Sequence, residues 1–465
     1  ACYHLKRLAK VLRGSIANFF QDILQAVYPL LVTPIPNPYG NNMPQFSPIN
    51  GTGRTGGSPI VLKKNNRLSL YDMCGMLVSH LPQDEDCVTY SKILFAPLHQ
   101  VILNGMDGLS QELAARGWPN CDADVAGDYF ADVIQAAGAA TKTFPPTVPY
   151  EIKVLLQQAL EASMQIFLNF PDHAQIRSQL IFFFHRMVAC LDRDLIPYIP
   201  SILAPLLERI TSDNAMESIE LVNQLMVKYS IHMGVVIPDL VLPIVQNIMS
   251  IMPNVQPRSS ASEPPTDDQQ SKEMLHRVFT LFMMNIVKNK LHPFLWHDKI
   301  VPHLMDILGA MIQASVEVPN ATVGKSCFYI LQNLLNLWVP CAGSPRSKSR
   351  TEEVHLTQDQ QMAFLNFAVT HAVPKTLECM TLIGFNEEDS SAAYSMYVEI
   401  SIFYISLIRR CGQQFLDYLQ SLLRSPSMNC LPNLISSLAE TIVGGEMKSV
   451  RKCLVAIVKQ HGSGS

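Results

Sequence analysis

Charge is scarce in this sequence: 16% of residues are Asp, Glu, Lys or Arg, against 48% apolar. Such a balance excludes a disordered chain, because there is ample apolar surface to offset the entropy of ordering. The formal net charge is −4, from 35 basic and 39 acidic residues. Binding to polyanions through overall charge is thereby excluded, and only local clusters of basic side chains remain available for it. No two of the 11 cysteines stand as C-x-x-C. Cys74, Cys190, Cys327, Cys411 and Cys453 fall in apolar stretches and read as small core residues of a reducing compartment rather than metal ligands or disulfide partners. No signal peptide precedes the first helical stretch, and no uncharged apolar run reaches transmembrane length. The longest candidate, Ile23 to Val32, is broken by Pro29. The reading is a soluble intracellular protein with no membrane partner. A polar capping repeat is also missing at the start, which for a repeat array points to a piece of something longer.

Catalytic signatures are absent as well. There is no nucleophile elbow, kinase signature, H-E-x-x-H or paired-carboxylate constellation. Gly51-Thr-Gly-Arg-Thr-Gly-Gly-Ser superficially suggests a phosphate loop, but Gly57 stands where the lysine is needed and no strand precedes it. A flexible loop is the plainer reading. His292, His297 and His303 lie close together, yet Pro293 interrupts helical spacing and six residues separate the last two. A turn between helices fits better than a metal site. Asn50-Gly-Thr and Asn320-Ala-Thr match a glycosylation pattern too short to carry weight. Neither an enzyme nor a cofactor is expected.

What the sequence does have is helical period, almost throughout. Cys327, Leu331, Leu334 and Trp338 recur at steps of four, three and four, which places them on one helical stripe. The same pattern runs through 152–170, 176–191, 274–291 and 361–373. No stretch alternates with a period of two between hairpin turns, so no sheet is expected. Three helices are predicted to carry proline in the first turn, where a missing N–H has no partner to lose. They begin around Pro197, Pro238 and Pro302, with Phe95 to Leu103 as a degenerate earlier copy. Pro197 and Pro238 are 41 residues apart; Pro238 and Pro302 are 64 apart, with a polar insertion between them. Helix pairs repeating at roughly 40–47 residues are the HEAT or armadillo signature. The expected fold is all-α, a HEAT-repeat solenoid wound as a right-handed superhelix of antiparallel helix pairs.

The expected organisation is a first helical segment over 1–32 and a Pro/Gly-rich loop over 33–66, with six prolines and five glycines. HEAT repeats follow over 67–253, an inter-repeat loop over 254–271, C-terminal HEAT repeats over 272–460 and a disordered tail over 461–465. Basic residues gather in four places. Lys6, Arg7, Lys10 and Arg13 lie on the first helix, and Lys63, Lys64 and Arg67 at the exit of the long loop. Arg346, Lys348 and Arg350 occupy a short serine-rich loop. On the last helix Met447, Val450, Leu454, Ile457 and Val458 form an apolar stripe. Lys448, Lys452 and Lys459 lie on an adjacent face with Arg451 at its edge. Such a row can meet successive phosphates, or be an ordinary solvated face. Tyr3, Tyr71 and Tyr418 read as helical core positions.

The stretches His185-Arg-Met-Val-Ala-Cys-Leu-Asp-Arg-Asp-Leu-Ile-Pro-Tyr-Ile-Pro, Val222-Asn-Gln-Leu-Met-Val-Lys-Tyr and Lys325-Ser-Cys-Phe-Tyr-Ile-Leu-Gln-Asn-Leu-Leu-Asn-Leu-Trp resemble exportin-t, the tRNA-exporter family of the importin-β (karyopherin) superfamily. The ending, Asn429-Cys-Leu-Pro through Val450-Arg-Lys-Cys-Leu-Val, is similar to that family's closing helices. The resemblance runs from about Arg67 to Gln460 and is firmest after Pro171. It implies roughly the C-terminal half of a nuclear export receptor that wraps mature tRNA together with Ran-GTP, passes nuclear pore proteins and shuttles between nucleus and cytoplasm. In that family the amino-terminal repeats, absent here, carry much of the Ran contact. The 33–66 loop is given no family role. Duplex RNA is recognised by shape, phosphates and 2′-hydroxyls, so the resemblance points to Lys448, Arg451, Lys452 and Lys459 as tRNA-phosphate contacts, with Arg346, Lys348 and Arg350 as further candidates. The alternative is a HEAT-repeat scaffold or karyopherin that takes protein cargo in apolar grooves.

Overall fold

A computed structural model describes residues 1–31, 62–99, 123–255, 265–318, 320–339, 341, 356–383 and 390–462. Those residues are helical or in connecting turns, and no strand occurs among them. The chain falls into two compact units, Ala1–Arg209 and Ile210–Ser465. That division lies inside the 67–253 run of repeats expected from the sequence.

In the first unit α1 (Cys2–Ile16), α3 (Lys64–Val78), α5 (Ala123–Ala140) and α7 (Ala174–Cys190) stack in that order as one layer. Helices α2 (Phe20–Leu31) and α6 (Tyr150–Asn169) pack on the flanks of α3 and α7; α4 (84–99) and α8 (Ile199–Glu208) complete the unit. Leu70, Phe130, Ile134, Phe183 and Phe184 fill the seams and are fully buried. Gly75 marks the tightest seam. A Cβ there would sit 1.8 Å from the Ala140 carbonyl oxygen, so only glycine lets α3 lie this close to α5.

The second unit repeats the scheme. Helices α10 (Asp267–Lys288), α12 (Ala321–Trp338), α15 (Ser390–Cys411) and α18 (Met447–Gly462) stack consecutively. Against them lie α9 (Ala215–Ser250), α11 (Leu304–Glu317), α14 (Val373–Ile383), which continues α13 (Gln358–Phe367) through a π-turn at Ala368–Ala372, α16 (Gln413–Arg424) and α17 (Pro432–Gly444). Two layers of paired helices stacked along one direction are a HEAT-type solenoid, as the periodicity implied. Cys327, Leu331, Leu334 and Trp338 are all buried, as their spacing required. Local chemistry sets the helix starts: Thr266 with Gln269 and Thr357 with Gln360 form capping boxes. Asn320 caps α12 by accepting from the Thr322 N–H at 2.9 Å, which makes it a structural cap.

Three sequence expectations need correction. Helix α3 begins at Lys64, inside the span read as loop. Pro238 and Pro243 lie deep in the 36-residue α9 and not in a first turn. Tyr229 (φ −121°, ψ 31°) breaks that helix, and the N–H that Pro238 lacks would have pointed to Gly234, against which the Phe294 ring is pressed. Pro97 lies inside α4, well past its start, and opens no helix. The reading that no uncharged apolar run reaches transmembrane length stands, since Lys228 and Asp239 interrupt α9, although α9 is long and apolar enough to cross a membrane by length and composition. However, half of its most apolar window is buried in the protein and it carries an Asp239–Lys299 ion pair, as befits a core helix. Pro197 and Pro302 do precede helices, each in a short 3-10 turn.

Candidate nucleic-acid interface

The last helix is positioned by its neighbours α14, α15 and α17. Helix α17 stops at Gly445, whose left-handed conformation (φ 68°) lets the chain reverse at once. Glu446 then opens α18: its carbonyl accepts from the N–H groups of Ser449 and Val450, and its carboxylate accepts from the Ser449 hydroxyl at 2.7 Å. The stripe expected from sequence forms, with Val450, Leu454, Ile457 and Val458 buried and Met447 at its edge. Burying four such side chains is worth about 1.5–3 kcal/mol each, whereas an exposed ion pair contributes about 0–1 kcal/mol. The apolar side therefore holds α18 in place, and its cations are not what docks it.

Lys448, Lys452 and Lys459 are exposed. At 100° per residue they fall within about 40° of one another, on a row about 16 Å long. Arg451 does not join the row. Its guanidinium lies over the Tyr394 ring, 4.0 Å from the centroid. The Arg409 guanidinium, from the last turn of α15, reaches the α17–α18 corner, 3.8 Å from where a Gly445 Cβ would stand. Arg409 is exposed and adds a cation that the sequence did not reveal, since nothing local ties the end of α15 to a corner so far along the chain.

The other basic groups are largely committed elsewhere. Lys6 pairs with the buried Asp72 at 2.5 Å, and Lys142 lies 4.0 Å from the same carboxylate. Arg7 lies over Tyr3, which is exposed and not in the core. Lys64 and Arg67 both face Asp132, at 2.5 and 3.6 Å, and Arg67 is buried. These cations join α1 to α3 and α3 to α5; they are not a phosphate patch. Arg346, Lys348 and Arg350 lie outside the described residues, as does the glycine-rich segment from Gly51.

The histidines stay apart in role. His292 is buried in the 3-10 turn before His297, and burial pushes its pKa down to about 4. The His297 Nδ1 accepts from the Lys299 N–H, and His303 precedes α11. Among the described residues no His, Cys, Asp and Glu group could hold a metal ion.

This stack of helix pairs, ending in a basic helix, matches the Exportin-T family model over residues 1–462. The chain belongs to the exportin-T family. The match reaches past Arg67 to the first helix, whose plain amphipathic pattern carries no distinctive motif of its own. Similar proteins include Exportin-T of Homo sapiens and of Pongo abelii, each 22% identical over 97% of this chain and 42% of the relative. Exportin-T of Oryza sativa subsp. japonica is 22% identical over 100% of this chain and 44% of its own length. The chain thus spans less than half the length of these exportin-T relatives.

Proposed function

We propose that this chain is the tRNA-engaging part of a nuclear export receptor, working with Ran-GTP and shuttling between nucleus and cytoplasm. Its C-terminal helix touches RNA phosphates. The observation that carries the reading is the row Lys448, Lys452 and Lys459, exposed on a helix held down by its opposite, apolar side, at the end of a chain of the exportin-T family. Each lysine that neutralises a phosphate releases condensed counterions. Replacing all three with Gln should lower the slope of log K against log [salt] for tRNA by about 2 to 3 and weaken binding at physiological salt roughly tenfold or more. An unchanged slope in a salt titration would remove α18 from the interface.

Protein cargo is the second reading, and it too has an observation behind it. Ile231 and Val235 stand four residues apart on α9 after the break at Tyr229, and Val227 stands just before it, each more than 60% exposed. Exposed apolar side chains of that kind suit an apolar protein anchor. Ile231→Asp should abolish binding to such a partner while leaving tRNA affinity within twofold; the reverse pattern would favour RNA at this face.

A further inference from the structure

Tyr394 stands one turn into α15, and Arg451 one turn into α18. The other rings of α15 (Tyr397, Phe403 and Tyr404) are fully buried, but Tyr394 keeps 43% of its surface exposed. The guanidinium lies over its ring at 4.0 Å from the centroid. Arg451 Nη1 is itself buried and has no hydrogen-bond partner among the described residues, so the ring face is the contact that its guanidinium shows. Lys448 and Lys452 flank Arg451 on the same helix, three residues before it and one after, and both are exposed.

A guanidinium over a tyrosine ring is a flat cationic surface that accepts any base with an open π-face. Bases inside a duplex offer no such face; bases of loops and single-stranded ends do. We propose that Tyr394 and Arg451 form a stacking platform for one unpaired base of an RNA whose phosphates run along Lys448 and Lys452. This end of the chain then selects RNA with a single-stranded end or loop over plain duplex. The inference rests on the reading of α18 as an RNA contact.

The two parts of the contact differ in kind, and that makes them separable. Stacking releases few counterions, so losing it lowers affinity without changing the salt slope; losing a lysine changes the slope. The probes are a blunt RNA duplex and the same duplex with a four-nucleotide 3′ overhang, each titrated with the intact chain at several salt concentrations. Tyr394→Leu should lose about tenfold on the overhang probe and less than about twofold on the blunt one, with an unchanged slope on both. Tyr394→Phe should retain wild-type preference. Arg451→Lys keeps the charge but not the plane, and should lose the preference while keeping the slope. Lys448→Gln with Lys452→Gln should lower the slope on both probes. If Tyr394→Leu weakens both probes equally or neither, or if Phe fails as Leu does, the pair is a packing contact and the platform is wrong. The RNA reading survives that result as long as the lysine variant still lowers the slope. Salt-insensitive binding of both probes by the wild-type chain would overturn both.

Discussion

His292 shows what the interior of such a stack does to one side chain. Its imidazole is buried, and burial favours the neutral ring, so the folded-state pKa is about 4 against about 6.5 for an exposed histidine. Above pH 6.5 both states are neutral and this residue adds no pH dependence to stability. Between about 6.5 and 4 the unfolded chain binds a proton that the folded chain refuses, so stability falls as pH falls. Urea unfolding at pH 5 and 7.5 should show this loss in the wild type and a smaller loss in His292→Gln. Glu317 responds lower on the pH scale. Burial raises its pKa, but hydrogen bonds from Lys272 and Gln313 and the charges of Lys272 and His276 outweigh that and hold it below the usual carboxylate range. Its contribution is present above the unfolded pKa near 4.3 and is lost as pH drops further through the folded value. At this scale the sequence was informative where a residue acts through its own helix. The row Lys448, Lys452 and Lys459 and the stripe beneath it follow from spacing alone. The ring beneath Arg451 was not legible because Tyr394 comes from a distant helix, and periodicity carries no information about tertiary neighbours.

Between helices, close approach and clamping decide the seams. Gly75→Ala would drive a methyl into the Ala140 backbone, which cannot rotate away as a side chain could. The expected cost is about 2–3 kcal/mol or more, visible as a lower melting temperature of the first unit, whereas Gly309→Ala, which meets nothing, should be neutral or better. Arg410 clamps the end of α12 from α15, donating to the Val339 carbonyl, to the Asn336 side-chain oxygen at 3.0 Å and to its own Ser406 carbonyl at 2.8 Å. Removing such a charged donor typically costs about 1.5–3 kcal/mol, so Arg410→Met should shift the denaturation midpoint downward by a corresponding amount. Helix existence was legible throughout because the 3.6-residue apolar period is long and uninterrupted. Helix starts were less so. Proline was read as a first-turn residue at Pro238, which instead lies mid-helix, four residues after the Gly234 against which the Phe294 ring packs, and that packing cannot be read from the local pattern.

Over the whole molecule, stability is a sum of repeat and neighbour terms rather than one indivisible core. The two units, Ala1–Arg209 and Ile210–Ser465, each have their own buried seams. A fragment beginning at Ile210 should therefore fold alone with native helicity, and chemical unfolding of the full chain should show more than one transition by circular dichroism. A single coincident transition by two probes would contradict it. The fold class was legible from composition and period because each pair of helices repeats the same demand for a covered apolar face. The partition into units was not, since the run from 67 to 253 is uniformly periodic across it. The thiols add a further property of the array. Cys74, Cys190, Cys327 and Cys379 are buried, and burial raises the pKa of Cys74 and Cys379 to about 12, so both shielding and protonation silence them. Cys2, Cys87, Cys411 and Cys453 are partly open. Distributed along the stack in this graded way, they act as a built-in clock: the order in which they take up an alkylating reagent reports which seams breathe, and how that order changes with a ligand bound tells where the array flexes to grip it.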